Sequence, residues 1–209
     1  MYSGAVSYVT SNVPKSRLGA AGMLRDFAVN MGTVGFDRRI AEGFSMILDG
    51  IAESHEVDHL AEFLCRFGIR EPLVEREMPD GHSVIYVQHK VRDIPFSRAC
   101  SNGTKTLVTL FHRLELGEKS KLLFLDEFDA NCHFELAEEL LRYFGESDSC
   151  QFVSATHNTS LLKNGIMRPD CIYSFTRMGE LRQLSSLTDR ELRVAHNIEK
   201  LHRNGEFDV

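Results

Sequence analysis

The chain has 209 residues, enough for one sizeable domain or two small ones. Hydrophobic residues make up 43% and charged residues 26%, an ordinary balance for a globular protein, and the net charge of −6 gives no support to a broad nucleic-acid-binding surface, though it leaves room for a local basic patch. The five cysteines are scattered, form no CxxC pair and are odd in number, so free thiols in a reducing cytoplasm are expected; no apolar run approaches the ~18 residues of a membrane helix, and no membrane is expected among the partners.

In chain order, the segments Ala20 to Met31, Arg38 to Ile51 and Val57 to Phe67 carry apolar residues at helical spacing. Gly32, Gly35, Gly50 and Gly68 sit near their ends, where glycine commonly stops a helix. Residues 1–68 therefore read as a mainly helical segment. After Gly68 the pattern changes. A turn at Pro79 to Gly81 precedes a strand at Ser83 to Lys90. A helix from about Gly103 to Leu116 follows, amphipathic in pattern, and then a strand at Leu122 to Leu125. That strand shows no polar alternation, so burial on both faces is expected. Beyond it come a helix over Phe134 to Phe144, a strand over Gln151 to Thr156 and a short helix over Thr159 to Lys163. A strand over Cys171 to Phe175 and an end helix over Asp189 to His202 complete the chain. Alternating strand and helix predict an α/β layer with parallel strands. In such sheets the reactive groups lie beyond the carboxyl ends of the strands, which is where Asp126, Glu127 and His157 fall.

Three pieces carry the chemistry. Ser101-Asn102-Gly103-Thr104 opens a helix, and unpaired N–H groups with the helix dipole make such a start an anion site. Taken alone, it reads as an ordinary N-cap. The second piece is the apolar strand ending in Asp126-Glu127, followed by Phe128-Asp129-Ala130. The third is His157, directly after a strand. In this order they resemble the C-terminal half of an ABC-type P-loop ATPase head of the SMC, RecF-like and OLD class. The succession "SNGTKTL", "DEFDA", "THNTSLL" and "RPD" (Arg168 to Asp170) resembles most the bacterial AAA-type ATPases of abortive infection and phage defence. The resemblance covers about Val84 to Phe207.

It implies roles. Ser101, Asn102, Gly103 and Thr104 would be the signature that meets a nucleotide held by the opposite subunit of a head-to-head dimer. Asp126 would hold Mg²⁺ through a water, and Glu127 would polarise the water that attacks ATP. Asp129 would belong to the D-loop, and His157 would sense the γ-phosphate. Residues 69–209 would form the C-terminal half of the ATPase domain. Residues 1–68 would be a lobe insertion, or a dimerisation or effector region. ATP and Mg²⁺ are the implied cofactors. A second subunit and a toxin or nuclease effector are the implied partners.

One required part is missing. These residues contain no GxxxxGK[ST] phosphate loop and no Gly-Lys pair. The chain thus reads as a fragment, a split gene product or a truncated homologue, with ATPase activity expected only when another polypeptide supplies that half. A non-catalytic dimerisation fragment is the alternative reading. From another class, His55-Glu56-Val57-Asp58-His59 matches the zinc peptidase pattern H-E-x-x-H, which needs both histidines on one helical face and a third ligand such as Glu75 or Glu77.

Overall fold

The computed structural model describes residues 31–35, 40–116, 121–148, 150–163, 165–189, 192 and 197–207. The helix expected over residues 20–30 lies outside the described residues. At Met31–Gly35 a strand, β1, replaces the expected helix end. Two helices follow, α1 (Ile40–Glu53) and α2 (Val57–Arg66). β2 (Leu73–Glu77) and β3 (Ser83–Val87) form an antiparallel hairpin around Gly81, whose φ of 87° only glycine adopts freely. β4 (Ile94–Pro95) adds to β3. Helix α3 spans Asn102–Phe111 and runs into a π-helical stretch, His112–Leu116. Then come β5 (Leu122–Asp126), α4 (Phe134–Gly145) and β6 (Gln151–Ser154). A hairpin of β7 (Tyr173–Phe175) and β8 (Leu181–Gln183) and a short helix α5 (Ile198–Arg203) complete the described chain.

The site is positioned by the three-stranded parallel sheet β1-β5-β6. Its register aligns Gly35 with Asp126 and Leu125 with Ser154, so all three strands end at one edge. This is the mixed α/β, parallel-sheet architecture of a P-loop NTPase. The antiparallel pairing of β2, β3 and β4 was not expected. β2 reads "LVERE", and its three charges conceal a strand that pairing with β3 stabilises.

Burial corrects two further expectations. β5 is unequally buried on its two faces: Leu123 and Leu125 are buried, whereas Phe124 on the opposite face is 37% exposed. Helix α4 supplies the cover, with Phe144 stacked on Phe152 of β6 at 4.6 Å between ring centroids. Helix α3 is not amphipathic in its setting. Residues Gly103, Thr104 and Thr106 to Phe111 are all buried, which makes it the central helix of the core. Threonines tolerate that position when their hydroxyls are satisfied locally, as when Thr109 Oγ1 donates to the Lys105 carbonyl at 2.9 Å. One apolar cluster joins Phe44, Ile51 and Leu60 with Val87, Leu110, Leu125 and Leu140, so core residues from both sides of Gly68 pack together. A smaller cluster of Leu184, Leu187, Ile198 and Phe207 lies towards the C-terminus.

Candidate active site at the carboxyl edge of the parallel sheet

The strand β5 ends at Asp126, which is exposed at the sheet edge. The next residue leaves the strand. Glu127 has φ of 49°, a left-handed conformation uncommon outside glycine and asparagine. Such a conformation persists only where the surroundings hold it. Here the anchor is Phe128, 1% exposed, whose ring meets Phe144 edge-on at 6.1 Å. The turn closes with the Ala130 N–H donating to the Glu127 carbonyl at 2.9 Å and the Cys132 N–H to the Asp129 carbonyl at 3.0 Å. Asp126 is therefore the last residue of β5, and Glu127 already belongs to the turn. A buried phenylalanine pulls the chain into a turn that sets the Glu127 carboxylate at the sheet edge.

His157 reaches the same place from the next strand. The Ala155 N–H donates to the Leu125 carbonyl at 2.9 Å, continuing the pairing of β6 with β5 past Ser154. Two residues later the chain bends. The Asn158 N–H donates to Thr156 Oγ1 at 2.9 Å, and Asn158 Oδ1 accepts from the Ser160 N–H at 3.1 Å, capping a 3₁₀ turn at Thr159–Leu162. Buried Leu161 pins that turn to the core. The His157 side chain is left 93% exposed, with Nε2 3.8 Å from Glu127 Oε1. At that distance the two do not bond directly, and both remain free to engage a third group. Thr156 and Asn158 were not singled out from sequence. The Thr-x-Asn-x-Ser spacing, typical of side-chain-stabilised turns, was the available signal.

The start of α3 carries the N-cap its sequence suggests. Ser101 is its N-cap: Oγ accepts from the Thr104 N–H at 3.1 Å and lies 2.8 Å from Thr104 Oγ1. Ser101 and Asn102 are exposed, but Gly103 is buried. A Cβ on Gly103 would stand 3.1 Å from Leu136 Cδ2 and 3.5 Å from the Asn131 carbonyl oxygen. Packing against α4 thus leaves little room for a large side chain here. The same contact seats the start of α3 against the turn that carries Asp129.

Asp126, Glu127 and Asp129 offer hard oxygen ligands. Among the described residues no group of three or more His, Cys, Asp or Glu could hold a metal. That donor set suits Mg²⁺, which is held by one or two carboxylates together with substrate phosphates and water, and does not suit a dedicated protein cage. The histidine pair fails its own requirement. His55 lies in the turn before α2 with φ of 56°, 3.2 Å from Glu75 Oε1, while His59 on α2 pairs with Glu56. The two imidazoles are engaged with separate carboxylates, and the zinc peptidase reading is withdrawn. Glu75 is held below the usual carboxylate range, first by the Ser83 hydroxyl donating at 2.7 Å and then by His55.

No helix among the described residues is long and apolar enough to cross a membrane. A sequence model of a family described as "AAA domain, putative AbiEii toxin, Type IV TA system" matches residues 26–163. No curated protein matches the chain.

Proposed function

Because the chain belongs to this AAA family, the P-loop ATPases of the abortive-infection type, we propose that it supplies the water-polarising half of an ATPase site. The observation that carries the reading is the Glu127 carboxylate, fixed by a left-handed turn at the end of β5, 3.8 Å from His157 at the end of β6. Phosphoryl transfer asks little covalent chemistry of a protein and depends on positioning and charge stabilisation. A carboxylate and an imidazole held apart, both exposed, at the carboxyl edge of a parallel sheet suit that task.

In this reading ATP is the substrate. Glu127 accepts a hydrogen bond from the attacking water and orients its lone pair. His157 donates to an oxygen of the terminal phosphate. Asp126 would hold Mg²⁺, whose charge would offset that of the phosphates. Ser101 and Asn102, exposed at the start of α3, face the second subunit of a dimer, and ATP-dependent dimerisation passes a signal to an effector. The Ser101 hydroxyl also caps α3.

The test is Glu127→Gln in an ATPase that also contains the phosphate loop. The amide keeps the shape and loses the charge. Phosphate release should fall about 10²–10⁴-fold, the usual worth of a general base, while bound nucleotide, read by filter retention, stays the same. Undiminished phosphate release would remove Glu127 from the reaction.

A further inference from the structure

The turn that carries Glu127 is tied to helix α3 by a thiol. The carbonyls of Glu127 and Asp129 accept the Ala130 and Cys132 N–H groups. The carbonyl between them, of Phe128, accepts the Cys132 thiol, with Sγ 3.7 Å away. That bond fixes the plane of the peptide after Phe128, whereas burial of the ring fixes the side chain. Burial, then Asp129, push the thiol up to about 11, so at neutral pH it keeps the proton it donates. The sulfur also meets α3. Thr106 is 0% exposed, and among the described residues its hydroxyl has no nitrogen or oxygen partner. A buried hydroxyl left unpaired is costly. The Cys132 sulfur lies within its reach, and the hydroxyl favours the thiolate, as a donor to sulfur does.

We propose that Cys132 is a positioning residue for Glu127: its sulfur accepts the Thr106 hydroxyl, its proton goes to the Phe128 carbonyl, and these two bonds set the turn that places the carboxylate. The consequence for catalysis rests on the ATPase reading above; the hold on the turn does not. A thiol suits the place because it is at once a weak donor and a weak acceptor. The left-handed Glu127, with φ of 49°, needs its surroundings to hold it. An apolar residue of similar size would fill the space and hold nothing. It would also leave the Thr106 hydroxyl with no partner at all. Serine would keep both bonds from a shorter side chain.

The test compares Cys132→Val, which keeps the bulk and removes both bonds, with Cys132→Ser, which keeps them. Amide hydrogen exchange in the chain reads the turn without any activity. In Cys132→Val the amides of Ala130 and of position 132 should exchange about five-fold faster or more, the worth of a hydrogen bond, while those of β5 stay as they were. Cys132→Ser should keep the turn protected. Phosphate release by an ATPase that also contains the phosphate loop reads the consequence. In Cys132→Val kcat should fall about ten-fold or more, since a misplaced reacting group can cost about a hundred-fold, with KM for MgATP unchanged. Cys132→Ser should retain most of the rate. Valine is the better filler of an apolar site, so melting temperature should favour valine while kcat favours serine. Thr106→Val should lower kcat in the parent chain and add nothing to Cys132→Val, because the two side chains act as one link. Equal protection of the turn in the valine and serine variants, a kcat that follows melting temperature, or additive effects at 106 and 132 would each overturn the proposal. If Glu127→Gln leaves phosphate release undiminished, the ATPase reading falls, and the exchange rates still decide whether Cys132 holds the turn.

Discussion

Glu127 and Gly103 show opposite relations between a residue and its backbone. Glu127 adopts φ of 49° although its side chain disfavours it, and the cost, of order 1–3 kcal/mol, is borne by the anchoring of Phe128. Gly103 sits at the start of a helix, and a Cβ there would stand 3.1 Å from Leu136. The neighbour is the tip of a flexible side chain, so Gly103→Ala should change stability by less than about 1 kcal/mol, the helical gain of alanine offsetting a small shift of Leu136. Gly103→Leu should cost about 1–3 kcal/mol by overpacking, and Leu136→Ala in the same chain should recover part of it. Urea unfolding of the four variants reads the coupling. An additive double variant would mean that Leu136 does not set this position. Asp126, Glu127 and His157 were legible as neighbours from sequence because each follows an apolar strand. The left-handed turn was not, since it depends on where Phe128 finds its pocket.

At the scale of elements, α3 and its surroundings decide the chemistry of the thiols. Cys100, just before α3, is pushed up to about 12 by burial, and Cys132, after the acidic turn, to about 11 by burial and then by Asp129. Cys65 and Cys171 are exposed. Since the thiolate is the nucleophile, iodoacetamide at pH 8 should label Cys65 and Cys171 in the native chain. The thiolate populations of Cys100 and Cys132 there are about one in a thousand or less, so both should remain unlabelled until urea unfolds the protein. The linkage has a definite sign. Both folded values lie above the unfolded one, so the folded state holds these protons more tightly. Their contribution is complete below about pH 9 and is lost as pH rises through 11 and 12. Peptide mapping by mass spectrometry checks the labelling, and equal modification of all four thiols in native protein would contradict the packing around α3. The sequence pattern located α3 within a few residues. It presented the helix as amphipathic because threonine counts as polar in a pattern, although its methyl packs in a core and its hydroxyl can bond back to the preceding turn, as at Thr109.

For the whole molecule, the decisive feature is a sheet whose two faces are unequally buried among the described residues. Leu125, 0% exposed under α4, and Phe124, one residue earlier on the other side, are nearly matched in hydrophobicity and opposite in environment. Leu125→Ala should therefore cost about 2–5 kcal/mol, whereas Phe124→Ser should cost less, about 1–2 kcal/mol, because part of its ring already faces water. Chemical denaturation of the isolated chain measures both. A large loss for Phe124→Ser would mean that the face is covered within the chain itself. The same architecture joins residues on both sides of Gly68: β1 pairs with β5, and Ile51, Leu60, Val87 and Leu110 share one cluster.

By itself the sequence determined the order and type of the elements that carry the site: an apolar strand ending in two acids, a second strand ending near a histidine, and a helix opened by Ser-Asn-Gly-Thr. Each is a local pattern, and local patterns follow from backbone sterics, capping and periodicity. The tertiary structure alone decided that Met31–Gly35 is a strand beside β5, that "LVERE" pairs as one arm of a hairpin, and that His55 and His59 turn to different carboxylates. It alone showed which face of β5 is the more buried. Strand pairing and burial are contacts between residues far apart in the chain. The alternation of side chains tells which side of an element is apolar, but not which partner, if any, will cover it.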